Sequence, residues 1–130
     1  MKNQNEAFSF AKAYKNLTEV LMDHKLAALG DAYINFVYSL ALSKSKGQPS
    51  GAKVRGIVLA EAFRRAGLRM HMPSRVSRHM LADAAEALTV YAWIHSYITL
   101  EECAAILQKT EDPVESFTQL LLTIKERVKF

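Results

Sequence analysis

Three acidic residues stand in two otherwise apolar segments, and they are the side chains best suited to do chemistry. Asp31 follows a glycine in LGDAYINFVYSL (29–40), and Asp83 and Glu86 are the only acids in MLADAAEALTVYAWI (80–94). Residues three apart share one face of a helix. If the two segments meet, carboxylates about 4 Å apart repel by about 4 kcal/mol at an effective dielectric of 20. A bound cation would offset that repulsion, so the pattern indicates a metal site.

Small residues predict where the two segments meet. Gly30 and Ala27 on the first segment, and Ala82 and Ala85 on the second, would let two helix backbones approach closely. A glycine inside a helix otherwise costs about 1 kcal/mol relative to alanine. A close crossing at these residues would bring the three acids together.

The chemistry of the acids favours a hard divalent ion. Carboxylates and water are the ligands of Mg²⁺ and of Mn²⁺, whereas the sequence has no Cys and His pairing at the spacing typical of zinc sites. Such ions promote phosphodiester hydrolysis, one activating a water and a second stabilising the leaving oxygen. The structural alternative is that Asp31 caps a helix and that Asp83 and Glu86 form the polar stripe of a half-buried helix.

Positive charge is concentrated in one part of the chain. Residues 44–79 contain nine Lys or Arg residues and a single acid, Glu61, which gives this segment +8 while the rest of the chain carries −4. A polyanion is the partner that such asymmetry favours, with nucleic acid ahead of an anionic membrane. A solvated basic helix face is the alternative.

The bulk composition is that of a globular protein. Half of the residues are hydrophobic and 23% are charged, and we expect a single domain over residues 1–130. The longest charge-free stretches, 32–43 and 87–100, are shorter than the roughly 18 to 20 apolar residues of a membrane span. No secretory signal is evident, and Cys103 is the only cysteine. We therefore expect no membrane partner and a reduced, cytoplasmic setting.

Apolar periodicity predicts an all-α fold of six helices. The first, over residues 5–22, rests on the spacing of Phe10, Tyr14, Leu17 and Leu21. The others are predicted over 23–43, over 52–66 with Gly67 as the C-terminal cap, and from Ser74 or Ser77 to about His95. The last two begin at the capping boxes TLEE (99–102) and DPVE (112–115).

Two of these segments resemble the ribonuclease III endonuclease domain. The family has a glycine-aspartate pair in a long helix, here LAALGDAYINFV (26–37), and an alanine-aspartate then glutamate-alanine-leucine pattern in a later helix, here LADAAEAL (81–88). KVRGIVLAEAFRRAGL (53–68) resembles the helix between them, so that the likeness spans about residues 23–97. The order and spacing of the motifs agree with their helical context.

The resemblance implies an all-α ribonuclease III endonuclease-domain-like bundle that cleaves double-stranded or structured RNA. It places Asp31, Asp83 and Glu86 among the carboxylates that hold Mg²⁺, or Mn²⁺, with Asp31 and Glu86 the least dispensable. It also implies a homodimer with one acidic site per subunit along a duplex-binding valley, and products with a 5′-phosphate and a 3′-hydroxyl. We expect no appended double-stranded-RNA-binding domain, a feature in which the chain resembles the compact mini-ribonuclease III branch.

The family pattern is incomplete at the first helix. A family glutamate seven residues before Asp31 is replaced by His24, with Asp23 one position away, and a second acid is replaced by Ala27. Either the enzyme works with fewer carboxylates, or the chain is a catalytically reduced RNA-binding or structural protein. A helical protein-interaction module with an accidental acidic pair is a third possibility.

Further residues are candidates for supporting roles. Asn35 lies one turn beyond Asp31 and could orient a metal-bound water, or it could be an exposed polar residue; His24 could hydrogen-bond a phosphate or such a water. Aromatic residues around Trp93 are interpreted as core or subunit interface, and Met70, Met72 and Met80 as packing residues. The RNA-binding candidates are Lys53, Arg55, Arg75, Arg78 and His79.

Overall fold

A computed structural model describes residues 8–130 as a bundle of α-helices. The helices are α1 (Leu17–Leu21), α2 (His24–Lys46), α3 (Gly56–Arg65), α4 (Arg78–Ile94), α5 (Leu100–Gln108) and α6 (Pro113–Arg127). A 3₁₀ turn, Arg69–His71, lies between α3 and α4. No β-strand occurs within the described residues, so the predicted all-α class is confirmed.

Side-chain caps set most of the helix starts. Asp23 accepts hydrogen bonds at the start of α2, Ser77 does so for α4, and Asp112 does so for α6. The predicted capping box of Thr99 and Glu102 is present at α5. The second predicted box is only half right, because the side chain of Glu115 accepts a hydrogen bond from Gln119. The local sequence therefore predicted where these helices begin, but it did not predict every hydrogen bond of their caps.

The prediction of a first helix over residues 5–22 is mostly wrong. Residues 5–7 lie outside the described part of the chain, residues 8–10 form a turn, and α1 has only five residues. Tertiary contacts account for the apolar spacing: the Tyr14 hydroxyl donates to Asp23 (2.6 Å), and the ring of Phe8 lies 5.1 Å from that of Trp93. The aromatic residues of this segment are thus held by the bundle without a helix of their own.

Helix α4 is the centre of the bundle. Twelve of its seventeen residues are buried, as expected of a helix that is apolar nearly all round. It packs against α1, α2, α3 and α6, and its contact with α2 is the most extensive between any two described helices. Any residue on α4 that faces α2 is consequently held rigidly.

Helix α2 presents three different sides. One side is buried against the core and includes Leu26, Gly30, Ile34 and Val37. The second exposes apolar side chains, with Leu29 41% and Phe36 57% exposed and Tyr33 half-buried between them. The third is polar and carries His24, Asp31 and Asn35. Because successive residues turn by about 100°, the three sides alternate along one helix.

By length and composition, α2 is also the one described helix that could cross a bilayer. The core helix of a water-soluble protein passes the same test, and α2 contains the capped, charged start and the polar side described above. The finding is therefore weak evidence for a membrane span.

Candidate active site

Helices α2 and α4 cross at Gly30, as the small residues predicted. A Cβ atom at Gly30 would lie 2.0 Å from the carbonyl oxygen of Glu86 and 2.4 Å from its carbonyl carbon. Side chains are not found so close to a backbone, so only glycine fits at this point. The crossing places the residues after Gly30 and those around Glu86 next to each other.

The three predicted acids line one cavity of about 410 Å³ between α2, α3 and α4. Asp31 and Glu86 share a side-chain hydrogen bond. Glu86 is buried, with 9% of its surface exposed. Burial, then the hydrogen bond with Asp31, and then the negative charges of Asp31 and Asp83 raise the pKa of Glu86 to about 8. At neutral pH the carboxyl group of Glu86 is therefore mostly protonated.

Asp83, the third acid, faces two histidines. The Nδ1 atom of His24 lies 3.6 Å from Oδ2 of Asp83, and Nε2 of His79 lies 3.7 Å from the same oxygen. Both imidazoles are largely exposed, whereas Asp83 is 22% exposed. The residue in the position of the missing family glutamate thus lies beside one of the remaining acids.

Asn35 connects the acids to the segment before α3. Its Nδ2 donates to Oδ1 of Asp31 (3.1 Å), and its Oδ1 accepts from the backbone N–H of Val54 (2.8 Å). Asn35 therefore holds the Asp31 carboxylate and the α2–α3 connection in a fixed relation. Neither sequence interpretation of this residue, water orientation or an exposed position, included that bridge.

Asp23 has a structural role. Its carboxylate accepts from the backbone N–H groups of Lys25 and Leu26 and from the Tyr14 hydroxyl. Burial works to raise its pKa, but the hydrogen bonds, that of Tyr14 first, lower the pKa overall. Asp23 therefore caps α2 and does not replace the missing glutamate.

A second cavity, of about 610 Å³, adjoins the acidic one. The two share Gly56, His79 and Ala82, and the charged side chains that line only the second are Arg55 and Arg78. Three of the five predicted RNA-binding residues, His79 and these two arginines, thus lie beside the acids. Lys53 and Arg75 are exposed but line neither cavity.

Other basic residues of segment 44–79 have partners within the fold. Arg69 donates to the carbonyl oxygens of Pro73 and Ser74, which shapes the loop before α4. Arg64 and Arg65 both pair with Glu61. The predicted basic surface therefore contains residues that stabilise the fold and residues that remain available to bind a ligand.

Of the methionines interpreted as packing residues, Met70 is 80% exposed, so that interpretation is wrong for Met70.

No group of three or more His, Cys, Asp or Glu side chains within residues 8–130 is placed so that it could hold a metal ion. The side chains of Asp31 and Glu86 are hydrogen-bonded to each other, and Asp83 faces the histidines. The acids are brought to one cavity, but their placement is not that of a ligand set.

An all-α bundle with carboxyl groups converging from two crossing helices, next to a basic cavity, has the features of a helical nuclease domain. The chain matches the ribonuclease III family over residues 24–128 and belongs to that family. The match begins at α2 and includes every later helix, so the resemblance found over residues 23–97 is confirmed and extended. No curated protein matches the chain.

Sequence reasoning missed part of the basic cavity. Ile57 and Ser77 line it together with Gly56, and none of the three carries a charge or a motif. The only sequence signal was their position: Gly56 follows Arg55, Ile57 is the next residue, and Ser77 precedes Arg78.

Proposed function

We propose that this protein is an endoribonuclease that depends on a divalent metal ion and cleaves double-stranded or structured RNA. The observation that carries the proposal is that Asp31, Asp83 and Glu86 line one cavity beside the available arginines, in a chain of the ribonuclease III family. Members of this family generally use divalent metals and act on double-stranded RNA.

The donor chemistry fits a hard divalent cation. Three carboxyl groups offer oxygen ligands of the kind that Mg²⁺ and Mn²⁺ take. Burial, and then the neighbouring carboxyl groups, raise the pKa of Glu86, and a divalent ion bound between the acids would displace the proton of Glu86. Asp31 and Glu86 would hold the ion, with Asp83 as the third carboxylate. When bound, the ion would activate water and stabilise charge on the phosphodiester.

The residues of this chain would then have distinct tasks. The contact between Gly30 and the Glu86 backbone fixes the distance between the two carboxylate-bearing helices. Asn35 orients Asp31 through its hydrogen bond, and His24 and His79 lie beside Asp83. The positive charge of Arg55 and Arg78 would attract the RNA backbone toward the acids.

A catalytically reduced RNA-binding protein is the second candidate. It is favoured by His24, which stands where the family pattern has a glutamate, and by the fact that the described acids are not placed as a ligand set. Such a protein would bind duplex RNA with strong salt dependence but would leave it uncut.

Cleavage of a long RNA duplex in Mg²⁺ or Mn²⁺ separates the two candidates. We expect the wild type to cut the duplex and Glu86→Gln to abolish cutting. Since Glu86 is largely protonated at pH 7, glutamine resembles its resting form in shape and charge, and circular dichroism should show an unchanged fold.

Glu111→Gln is the matched control, because Glu111 is exposed in the connection between α5 and α6. It should cleave like the wild type. A wild type that binds the duplex but leaves it intact with either ion would favour the reduced protein.

We further propose that the protein forms a homodimer through its exposed apolar surface. This apolar face consists of Phe8, Phe10, Leu29, Tyr33, Phe36 and Trp93. Four of the five aromatic residues among them are connected: Phe8 contacts Phe10 and Trp93, and Trp93 contacts Tyr33. Family members often dimerise, and a second copy would cover the exposed rings of Phe10 and Phe36.

A further inference from the structure

The basic cavity has features of a binding site in its own right. Its volume of about 610 Å³ lies within the range of small-molecule sites, roughly 300 to 1,000 Å³. Arg55 and Arg78 come from different elements, the α2–α3 connection and the start of α4, and both line it. Two cations held at one concave surface repel each other unless an anion lies between them.

These two arginines differ from Arg64, Arg65 and Arg69, which have partners within the fold. Within the part of the chain that the structure describes, neither Arg55 nor Arg78 has a hydrogen-bond or ion-pair partner through its side chain. Arg64 and Arg65 pair with Glu61, and Arg69 binds loop carbonyls. Guanidinium groups without protein partners are available to form bidentate hydrogen bonds with a phosphate.

The cavity is not purely polar. Ile57 is 46% exposed and lines the same cavity as the arginines. An exposed branched apolar side chain beside two guanidinium groups suits a ligand with an anionic part and an apolar ring, which is the character of a nucleotide. A bare inorganic anion would leave the Ile57 surface unused.

The position of this cavity relates it to the acids. His79, Gly56 and Ala82 form the boundary shared with the acidic cavity. A strand with one phosphate at the acids would therefore continue directly past Arg55 and Arg78.

We propose that the basic cavity is a subsite for one nucleotide of the RNA strand, next to the nucleotide whose phosphate lies at the acids. Arg55 and Arg78 bind its phosphate, and Ile57 contacts its sugar or base. The inference rests on the proposed function for the identity of the strand, but binding at the subsite needs no metal ion and no carboxylate.

A titration with uridine 5′-monophosphate in EDTA, followed by two-dimensional amide NMR, tests the subsite. We expect the largest shifts at Gly56, Ile57 and Arg78, with inorganic phosphate binding at least threefold more weakly than the nucleotide and uridine not binding. Arg55→Ala and Arg78→Ala should each weaken nucleotide binding at least fivefold.

Arg64→Ala is the matched control, since it removes the same charge from an arginine that has a partner on α3. It should change the affinity less than twofold. Arg55→Gln and Arg78→Gln, checked by circular dichroism, keep the test valid if an alanine variant unfolds. Equal losses from all three alanine variants, shifts centred elsewhere, or no binding by the wild type at tens of millimolar nucleotide would overturn the subsite.

The two proposals fail separately. Selective loss of nucleotide binding in Arg55→Ala and Arg78→Ala, with no duplex cleavage by the wild type in either ion, supports the subsite and overturns the nuclease. Metal-dependent cleavage, with nucleotide binding unaffected by both arginine substitutions, overturns the subsite and leaves the nuclease standing.

Discussion

Replacing Gly30 by alanine tests the helix crossing on which the carboxylate site depends. The added Cβ would lie 2.0 Å from the Glu86 carbonyl oxygen and 3.1 Å from its Cα. Ordinary contacts of a Cβ are about 3.4 Å or longer, so α2 and α4 would have to separate by more than an ångström. Because the obstructing atoms belong to the backbone, a rotamer change cannot relieve the clash.

The expected loss of stability follows from two opposing effects. Overpacking costs about 1 to 3 kcal/mol and occasionally more, and the rigid neighbour places this case at the upper end. Alanine regains about 1 kcal/mol of helix propensity. The net change in the free energy of unfolding should be a decrease of about 2 kcal/mol or more, equivalent to a fall in Tm of about 6 to 10 °C for a domain of this size.

Urea unfolding and thermal unfolding measure this change directly. Gly51→Ala is the control, because nothing lies within 4 Å of a Cβ added at Gly51; its stability should be unchanged or slightly increased. The same separation would pull Asp31 away from Glu86, so Gly30→Ala should also lose duplex cleavage. A Gly30→Ala protein as stable as the wild type would refute the close crossing, and with it the reason for placing the acids together.

Three further predictions concern charge burial and the apolar face. Glu86→Gln should stabilise the protein at high pH. The pKa of Glu86 is about 8 in the folded protein and 4.5 in the unfolded chain, so the free energy of unfolding of the wild type falls by up to roughly 5 kcal/mol between those pH values. In urea unfolding, the difference in stability between variant and wild type should be small at pH 4 and largest near pH 9. His95→Phe should reduce the loss of folding stability below about pH 6.5, because burial lowers the pKa of His95 and its Nε2 has no partner among the described residues. Equal losses of stability in the variant and the wild type between pH 7 and pH 5 would contradict this. Phe36→Glu should convert the proposed dimer to a monomer in sedimentation, whereas Met70→Glu, at an exposed site outside the apolar face, should not.

Much of the fold was predictable because helix starts are local. Asp23, Ser77, Thr99 and Asp112 each cap a helix within a residue or two of the expected position. The crossing at Gly30 was also predictable, since a glycine inside an apolar helix lowers helix stability and is typical of a close backbone approach. These features depend on residues close together in the sequence.

The N-terminal segment was not predictable in the same way. Its apolar residues have helical spacing, yet their contacts lie outside that pattern. Tyr14 donates a hydrogen bond to Asp23, and Phe8 packs against Trp93, which is distant in sequence. Tertiary contacts of this kind override a local preference. Of the four residues in the period, only Leu21 is fully buried and Phe10 is 63% exposed, so the spacing predicted neither the burial nor the backbone conformation of this segment correctly.

The candidate site was predictable in membership but not in detail. Spacing and resemblance identified the three acids, and the structure brings them to one cavity. Three details depend on distances across elements: the hydrogen bond between Asp31 and Glu86, the two histidines beside Asp83, and the bridge from Asn35 to Val54. Which arginines have partners within the fold likewise depends on tertiary structure, as the hydrogen bonds from Arg69 to the carbonyl oxygens of Pro73 and Ser74 show.

The three sides of α2 restrict how this chain can change during evolution. A one-residue insertion or deletion before Gly30 would turn everything after it by about 100°, replacing the glycine at the crossing and moving Asp31 out of its cavity. Single substitutions on the side of Leu29 and Phe36, by contrast, could retune self-association while leaving the carboxyl groups in place. We therefore expect related sequences to vary in the residues of this helix and to keep its length.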